Sequence, residues 1–131
     1  MKTVVLALAL AAAQGKTTAD SVYTAAQAKR GETVYSTSCA SCHGPDLIGG
    51  GQASPLTGKD FIDAWNNQPL GDLFDRIQTT MPADAPGSLK PAEAADVMAF
   101  ILSKAMFPAG DTELPADAAM LKEIKFVPPK P

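Results

Sequence analysis

Cys39-Ala40-Ser41-Cys42-His43 gathers every cysteine and the only histidine of the chain into five residues. At this spacing two thiols can form thioethers with the two vinyl groups of a haem while the adjoining imidazole reaches the iron. Three other chemistries compete for the same residues. A structural zinc site wants four nitrogen or sulfur ligands, and no second pair stands elsewhere in the chain. A thioredoxin-like redox pair belongs at the start of a helix after a strand, whereas here a helical pattern runs up to the pair and ends there. A disulfide between Cys39 and Cys42 would close a very short loop and contribute little stability. The expectation is therefore one covalent haem c with its iron, attached through Cys39 and Cys42, with His43 as a metal ligand.

If one ring nitrogen of His43 binds iron, the other should donate to a carbonyl, which fixes the tautomer and raises the basicity of the ligand. The loop from Gly44 to Gly58 must supply that acceptor. For the sixth position the soft thioether of methionine is the ligand that raises a reduction potential, and the chain has five methionines. Met1 belongs to the N-terminal apolar segment, Met98 falls on a periodic helical stripe as core methionines do, and Met106 and Met120 sit near or in a proline-rich tail. Met81 stands in Thr79-Thr80-Met81-Pro82, just after a helical pattern ends, with no stripe to join and a proline to stiffen it. It is the expected second metal ligand. The competing reading makes Met81 an apolar plug over an open iron site, as in a ligand-binding or peroxidatic haem protein.

Trp65, the only tryptophan, carries an indole N–H that needs a partner if buried, a haem propionate being one and ordinary core packing the alternative. Gly58-Lys59 and Gly15-Lys16-Thr17 look like ends of a phosphate loop, but both lack the first glycine. Asp60, Asp63, Asp72 and Asp75 fall at capping and solvent-facing helical positions and read as a solvated acidic face rather than a metal cluster.

The elements that must hold these residues are helical. Thr24 and Gln27 have capping-box spacing, and Ala28, Gly31, Tyr35 and Cys39 recur at intervals of three and four toward the cysteines. Gly31 costs about 1 kcal/mol against alanine in a helix, and close approach of another helix is a reason to tolerate it. Five glycines and two prolines between Gly44 and Gly58 make that stretch a loop. Asp60 can cap a short helix bearing Phe61, Ala64 and Trp65, ended by Pro69, and Leu70, Leu73, Phe74 and Ile77 mark the next at i, i+3, i+4, i+7. Pro91 and Glu93 open a helix with Ala94, Val97, Met98, Ile101 and Leu102 on one stripe and Phe100 on its flank.

No segment alternates with a period of two, so the fold class is all-α: about four to five short helices with long loops wrapped around one haem. Composition agrees. At 131 residues and 46% hydrophobic content the chain is one modest globular domain, and its net charge of −3 offers no basic cluster for nucleic acid. Val4 to Ala13 form an unbroken apolar run behind Lys2, too short to span a bilayer and right for a secretory signal. The expected organisation is a signal peptide over residues 1–19, cleaved between Ala13 and Ala19, a haem domain over 20–107, and a proline-rich wrapping tail over 108–131. Within that tail only Ala116 to Ile124 has room for a short helix. Export to the bacterial periplasm, with no membrane span in the mature protein, is expected.

From about Ser21 to Pro108 these residues resemble the class I cytochrome c family. Gly31 and Tyr35 are similar to the family's glycine and aromatic on the N-terminal helix, and Val97 and Phe100 to their partners on the C-terminal helix. Ser54-Pro55-Leu56 resembles the family's proline turn, which implies the Pro55 carbonyl as the acceptor for His43. Cys-His-Gly-Pro-Asp-Leu, Thr-Met-Pro with Pro86-Gly87-Ser88-Leu89, and Phe107-Pro108-Ala109-Gly110 look like cytochromes that serve quinoprotein alcohol or sugar dehydrogenases. So do Glu113-Leu114-Pro115 and the short helix after them. Lys90 departs from the pattern, standing where the family places a serine, threonine or aspartate cap. The resemblance implies a monomeric one-electron carrier rather than an enzyme. Its expected donor is a quinoprotein dehydrogenase, its acceptor an oxidase or another cytochrome. A subunit permanently docked on a dehydrogenase is the alternative.

Overall fold

A computed structural model describes residues 15–131; the apolar run Val4 to Ala13, and with it most of the expected signal peptide, lies outside the described residues. These form six helices in the order α1 Ala25–Ser38, α2 Ala40–His43, α3 Gly58–Trp65, α4 Leu70–Thr80, α5 Pro91–Lys104 and α6 Ala118–Leu121. Only isolated β-bridges accompany them among the described residues. The all-α expectation holds, with one short helix more than the sequence periodicity separates.

The frame is the crossing of α1 and α5. A Cβ added to Gly31 would lie 1.8 Å from the carbonyl oxygen of Asp96 and 2.9 Å from Cβ of Phe100, so only glycine lets the two backbones come this close. One turn further along α1, Tyr35 packs its ring on Phe100 with centroids 5.2 Å apart. Almost all of α5 between Ala94 and Leu102 is buried, as expected for the helix that the others surround. Its start is secured without an oxygen-bearing cap. Lysine has no acceptor, but the Glu93 carboxylate accepts the Lys90 backbone N–H at 3.0 Å, half of a capping box.

Two starts differ from expectation. Thr24 caps α1 by accepting the Gln27 N–H at 3.1 Å, but the Gln27 side chain does not reach back to close a capping box. It is buried and bonds both backbone groups of Leu114, accepting at 2.8 Å and donating at 3.1 Å. Asp60 does not cap α3, which begins two residues earlier after Thr57; Asp60 lies in its first turn, where a carboxylate still favours the helix dipole.

The tail is built into the fold. Lys125 lies between Thr17, in a parallel bridge, and Pro69, in an antiparallel one. On one side its N–H meets Lys16 and its carbonyl meets Thr18, and on the other Phe126 exchanges backbone bonds of 2.8 Å with Asn67 and Gln68. Thr18 is wholly buried and bonds both the N–H and the carbonyl of Val127 at 3.0 Å. Phe126 sets its ring edge-on to Phe61 and Phe107 at 5.7 and 5.4 Å, and α6, capped by Asp117, closes on α4.

Candidate haem site

Helix α1 ends at Ser38, where Cys39 takes φ −124° and breaks the ladder, and the chain restarts as the single turn α2. The carbonyl of Cys39 accepts from the N–H groups of Cys42 and His43 at 3.2 and 3.0 Å. This turn brings both thiols and the imidazole together. Both cysteines are free, Cys39 half-buried and Cys42 exposed. Burial pushes the Cys39 thiol up to about 11.

The position of His43 is set from several sides. Its Nδ1–H donates to the carbonyl of Ser54 at 2.7 Å, its own carbonyl accepts the Gly49 N–H at 2.7 Å, and the Tyr35 hydroxyl donates to the neighbouring Gly44 carbonyl at 2.5 Å. A carbonyl can only accept, so the proton sits on Nδ1 and leaves Nε2 with its lone pair free for iron. The acceptor is Ser54, not Pro55 as the resemblance implied. Pro55 holds the preceding residue extended, and in extended chain successive backbone groups face opposite sides. The Leu56 N–H is tied to the Leu47 carbonyl at 2.8 Å, so the carbonyl two residues back faces the same turn and that of Pro55 faces away. Pro55 lines the site without serving as that acceptor.

These residues open onto a cavity of about 620 Å³ whose lining includes Cys39, Cys42, His43, Pro55, Trp65 and Met81, within the size range of cofactor pockets. All six residues singled out in the sequence therefore meet in one place. Helix α3 contributes Phe61 and Trp65, α4 contributes Leu73 and Ile77, and α5 contributes Val97 and Ile101. Met81 is the residue at which α4 stops, its N–H still bonded to Ile77 at 3.2 Å. The other described methionines are elsewhere: Met98 is wholly buried, and Met106 and Met120 are largely exposed. Three polar residues of the lining, Gln52, Arg76 and Asp84, carry no sequence signal, because an exposed-looking polar position on a loop or helix flank gives no sign of facing a cavity.

The donor set fits haem c: two unbridged thiols beside an imidazole of fixed tautomer, a thioether on the same cavity, and mostly apolar walls. Residues 26–101 match the family described as cytochrome c oxidase, cbb3-type, subunit III. The chain belongs to this family. No curated relative and no solved structure matches it. The cytochrome is thus an all-α c-type domain with covalently bound haem c and iron, and its work is one-electron transfer with redox partners. The matched span begins in α1 and ends in α5, so it takes in the cavity and leaves the tail outside. Among the described residues no helix is long and apolar enough to cross a membrane.

Proposed function

We propose that Cys39 and Cys42 form the two thioethers, that His43 and Met81 fill the axial positions of the iron, and that the protein is an exported periplasmic shuttle. It would take electrons from a quinoprotein dehydrogenase and pass them to an oxidase or another cytochrome. The observation that carries the ligand assignment is the single cavity into which Cys39, Cys42, His43 and Met81 all open. The haem supplies reversible one-electron chemistry at its iron. The protein's own part is positional. Ser54 and Tyr35 hold the His43 turn, the end of α4 presents Met81, and the apolar walls from α3 and α5 keep water from the macrocycle. With both axial positions taken by side chains, no coordination site is left for a substrate. Encounters with partners should be brief, through a small interface steered by charge, and Asp60, Asp63, Asp72 and Asp75 offer a steering face.

The second reading is a permanently docked subunit, which the family, named for an oxidase subunit, favours. The tail's apolar residues divide on this: Phe107, Ile124 and Phe126 are buried within the chain itself, whereas Met106 and Met120 are largely exposed. Co-purification of a stable dehydrogenase or oxidase would establish the docked role, whereas a reduction rate that falls with salt would establish the shuttle.

The ligand assignment is tested by optical spectra of oxidised and reduced protein, with Met81→Ala alongside and carbon monoxide added. A low-spin covalent haem with a weak iron–thioether band that Met81→Ala abolishes is expected, together with carbon monoxide binding only in the variant. Free carbon monoxide binding by the wild type would mean an open iron and a ligand-binding or peroxidatic protein.

A further inference from the structure

Besides the haem cavity, the described residues form a second cleft that electron transfer leaves unused. It measures about 330 Å³ and lies where three segments meet: Lys16 and Thr17 of the N-terminal strap, Asn67 in the turn between α3 and α4, and Lys122, Glu123 and Lys125 of the tail. Of these six residues only Asn67 falls within the family match. The cleft is therefore made by the two ends of this chain closing on the turn.

Its charge is one-sided. Lys16 and Lys125 make no ion pair among the described residues, and Lys122 has only the longest of the pairs, 3.8 Å from Asp75. Glu123 is the one carboxylate in the lining. The same bias runs through the surrounding sequence. Residues 21–121 hold six lysines and arginines against twelve carboxylates, whereas 15–20 and 122–131 together hold four lysines against two. A cleft lined by one sign of charge focuses its field on an ion of the other. The backbones that bear these lysines are also fixed. The Lys16 carbonyl accepts the Lys125 N–H at 2.9 Å, and the stem of Lys122 lies over Gly71, where an added Cβ would meet its Cγ at 2.5 Å. Asn67 is held through its N–H on the Phe126 carbonyl at 2.8 Å, and its amide side chain adds neutral donors to the cleft.

We propose that this cleft binds a phosphate group, carried by a soluble ester or by a phospholipid headgroup. Three ammonium groups against the one carboxylate of Glu123 leave two positive charges, which match a phosphate monoester at neutral pH. Lysine holds phosphate as a compact point charge, with three donors that turn to suit it. The cleft has the volume of about ten water molecules, more than a bare phosphate fills, so the phosphate can bring a glycerol or sugar with it. Once bound, the anion bridges strap, turn and tail and relieves the repulsion among the lysines, so it stabilises the folded chain. None of this depends on which residues ligate the iron.

The test is a titration of the reduced, haem-loaded full chain with inorganic phosphate and with glycerol 3-phosphate at constant ionic strength, followed by the amide resonances of Thr17, Asn67 and Lys125. Saturable shifts confined to the strap, the turn and the tail are expected, with none from chloride. The triple variant Lys16→Gln, Lys122→Gln, Lys125→Gln should bind about tenfold or more weakly, and its melting temperature should no longer rise with phosphate. A control triple, Lys29→Gln, Lys59→Gln, Lys90→Gln, removes the same charge elsewhere and should bind as wild type does, while Glu123→Gln should bind more tightly. Should the cleft triple fail to accumulate, Lys16→Gln alone, at an exposed position, should still weaken binding where Lys29→Gln does not. Vesicles separate the two sources. Sedimentation with equal parts phosphatidylcholine and phosphatidylglycerol, but not with phosphatidylcholine alone, and its loss in the cleft triple would assign a headgroup; saturation by glycerol 3-phosphate without sedimentation would assign a soluble ester. Neither saturable shifts nor sedimentation, or an equal loss in both triples, would overturn the proposal.

Discussion

Gly31→Ala is a substitution for which local propensity and tertiary packing give opposite signs. In the interior of a helix, alanine is better than glycine by about 1 kcal/mol, so α1 considered alone should be stabilised. The structure says otherwise. The new methyl carbon would lie 1.8 Å from the carbonyl oxygen of Asp96, 2.5 Å from its carbonyl carbon and 2.9 Å from Cβ of Phe100. Two of these obstacles are backbone atoms of α5, which cannot rotate away, so relief requires α1 and α5 to separate along their contact. Overpacking costs about 1–3 kcal/mol, and a backbone obstacle in a buried crossing belongs at the upper end. After subtraction of the propensity gain the net loss is about 2 kcal/mol.

For a domain of this size each kcal/mol moves the melting temperature by about 3–5 °C, so a drop of about 6–10 °C is expected in thermal unfolding followed by circular dichroism. The loss should reach the site as well. Tyr35, which packs on Phe100 and holds the Gly44 carbonyl beside His43, lies one turn from the crossing, and Val97 and Ile101 of α5 line the cavity. An unchanged or raised melting temperature for Gly31→Ala would refute the packing argument and leave propensity as the ruling effect.

Gln27→Ala should destabilise by about 2–4 kcal/mol, because it strands the N–H and carbonyl of Leu114 without partners; limited proteolysis should then cut the tail first. Thr18→Val should cost about 1–3 kcal/mol by freeing both backbone groups of Val127, read in denaturant titrations. For the same reason a cut after Ala19 would discard a buried anchor, so if a signal is removed, the intact mass should show an N-terminus that retains Thr18. Tyr35 has its ionisation pushed up to about 12 from the ordinary 10, burial being the largest cause, and only the neutral phenol can donate to Gly44. Its contribution to stability should be complete below pH 10 and lost as pH rises toward 12, a slope that Tyr35→Phe should remove.

Much of this was legible because it depends on periodicity and on residues with few uses. The stripe Leu70, Leu73, Phe74, Ile77 is buried as its spacing predicts, and so are Ala28, Gly31 and Tyr35. The thiols and the only histidine fall next to each other, and Met81 is marked by the absence of a stripe. What was hidden depends on direction. The sequence shows Gln27 at capping-box spacing, but whether its amide turns back to the cap or out to Leu114 is decided by a tail 87 residues away. The choice between the Ser54 and Pro55 carbonyls depends on which side of an extended segment faces His43, and one residue of register reverses it. The break between α1 and α2 was invisible because Cys39 continues the three-four spacing of α1 while its backbone leaves the helix.

The tail shows how a segment outside the family match can still shape the site. Phe126 is buried against Phe61, and Phe61 lines the cavity. Its backbone is bonded to Asn67 and Gln68, in the turn that joins Trp65 to α4. Beyond it, Lys125 and Val127 are gripped by Lys16 and Thr18 from the other end of the chain. Helix α3 and the start of α4 therefore have their outer sides fixed by the tail, and the tail is fixed by the N-terminal strap. Two short helices joined by a turn would otherwise be free to move off a bound cofactor. A wall that cannot yield keeps Trp65 and Met81 in place through a change of charge at the iron, and a small rearrangement on electron transfer is what a fast carrier requires.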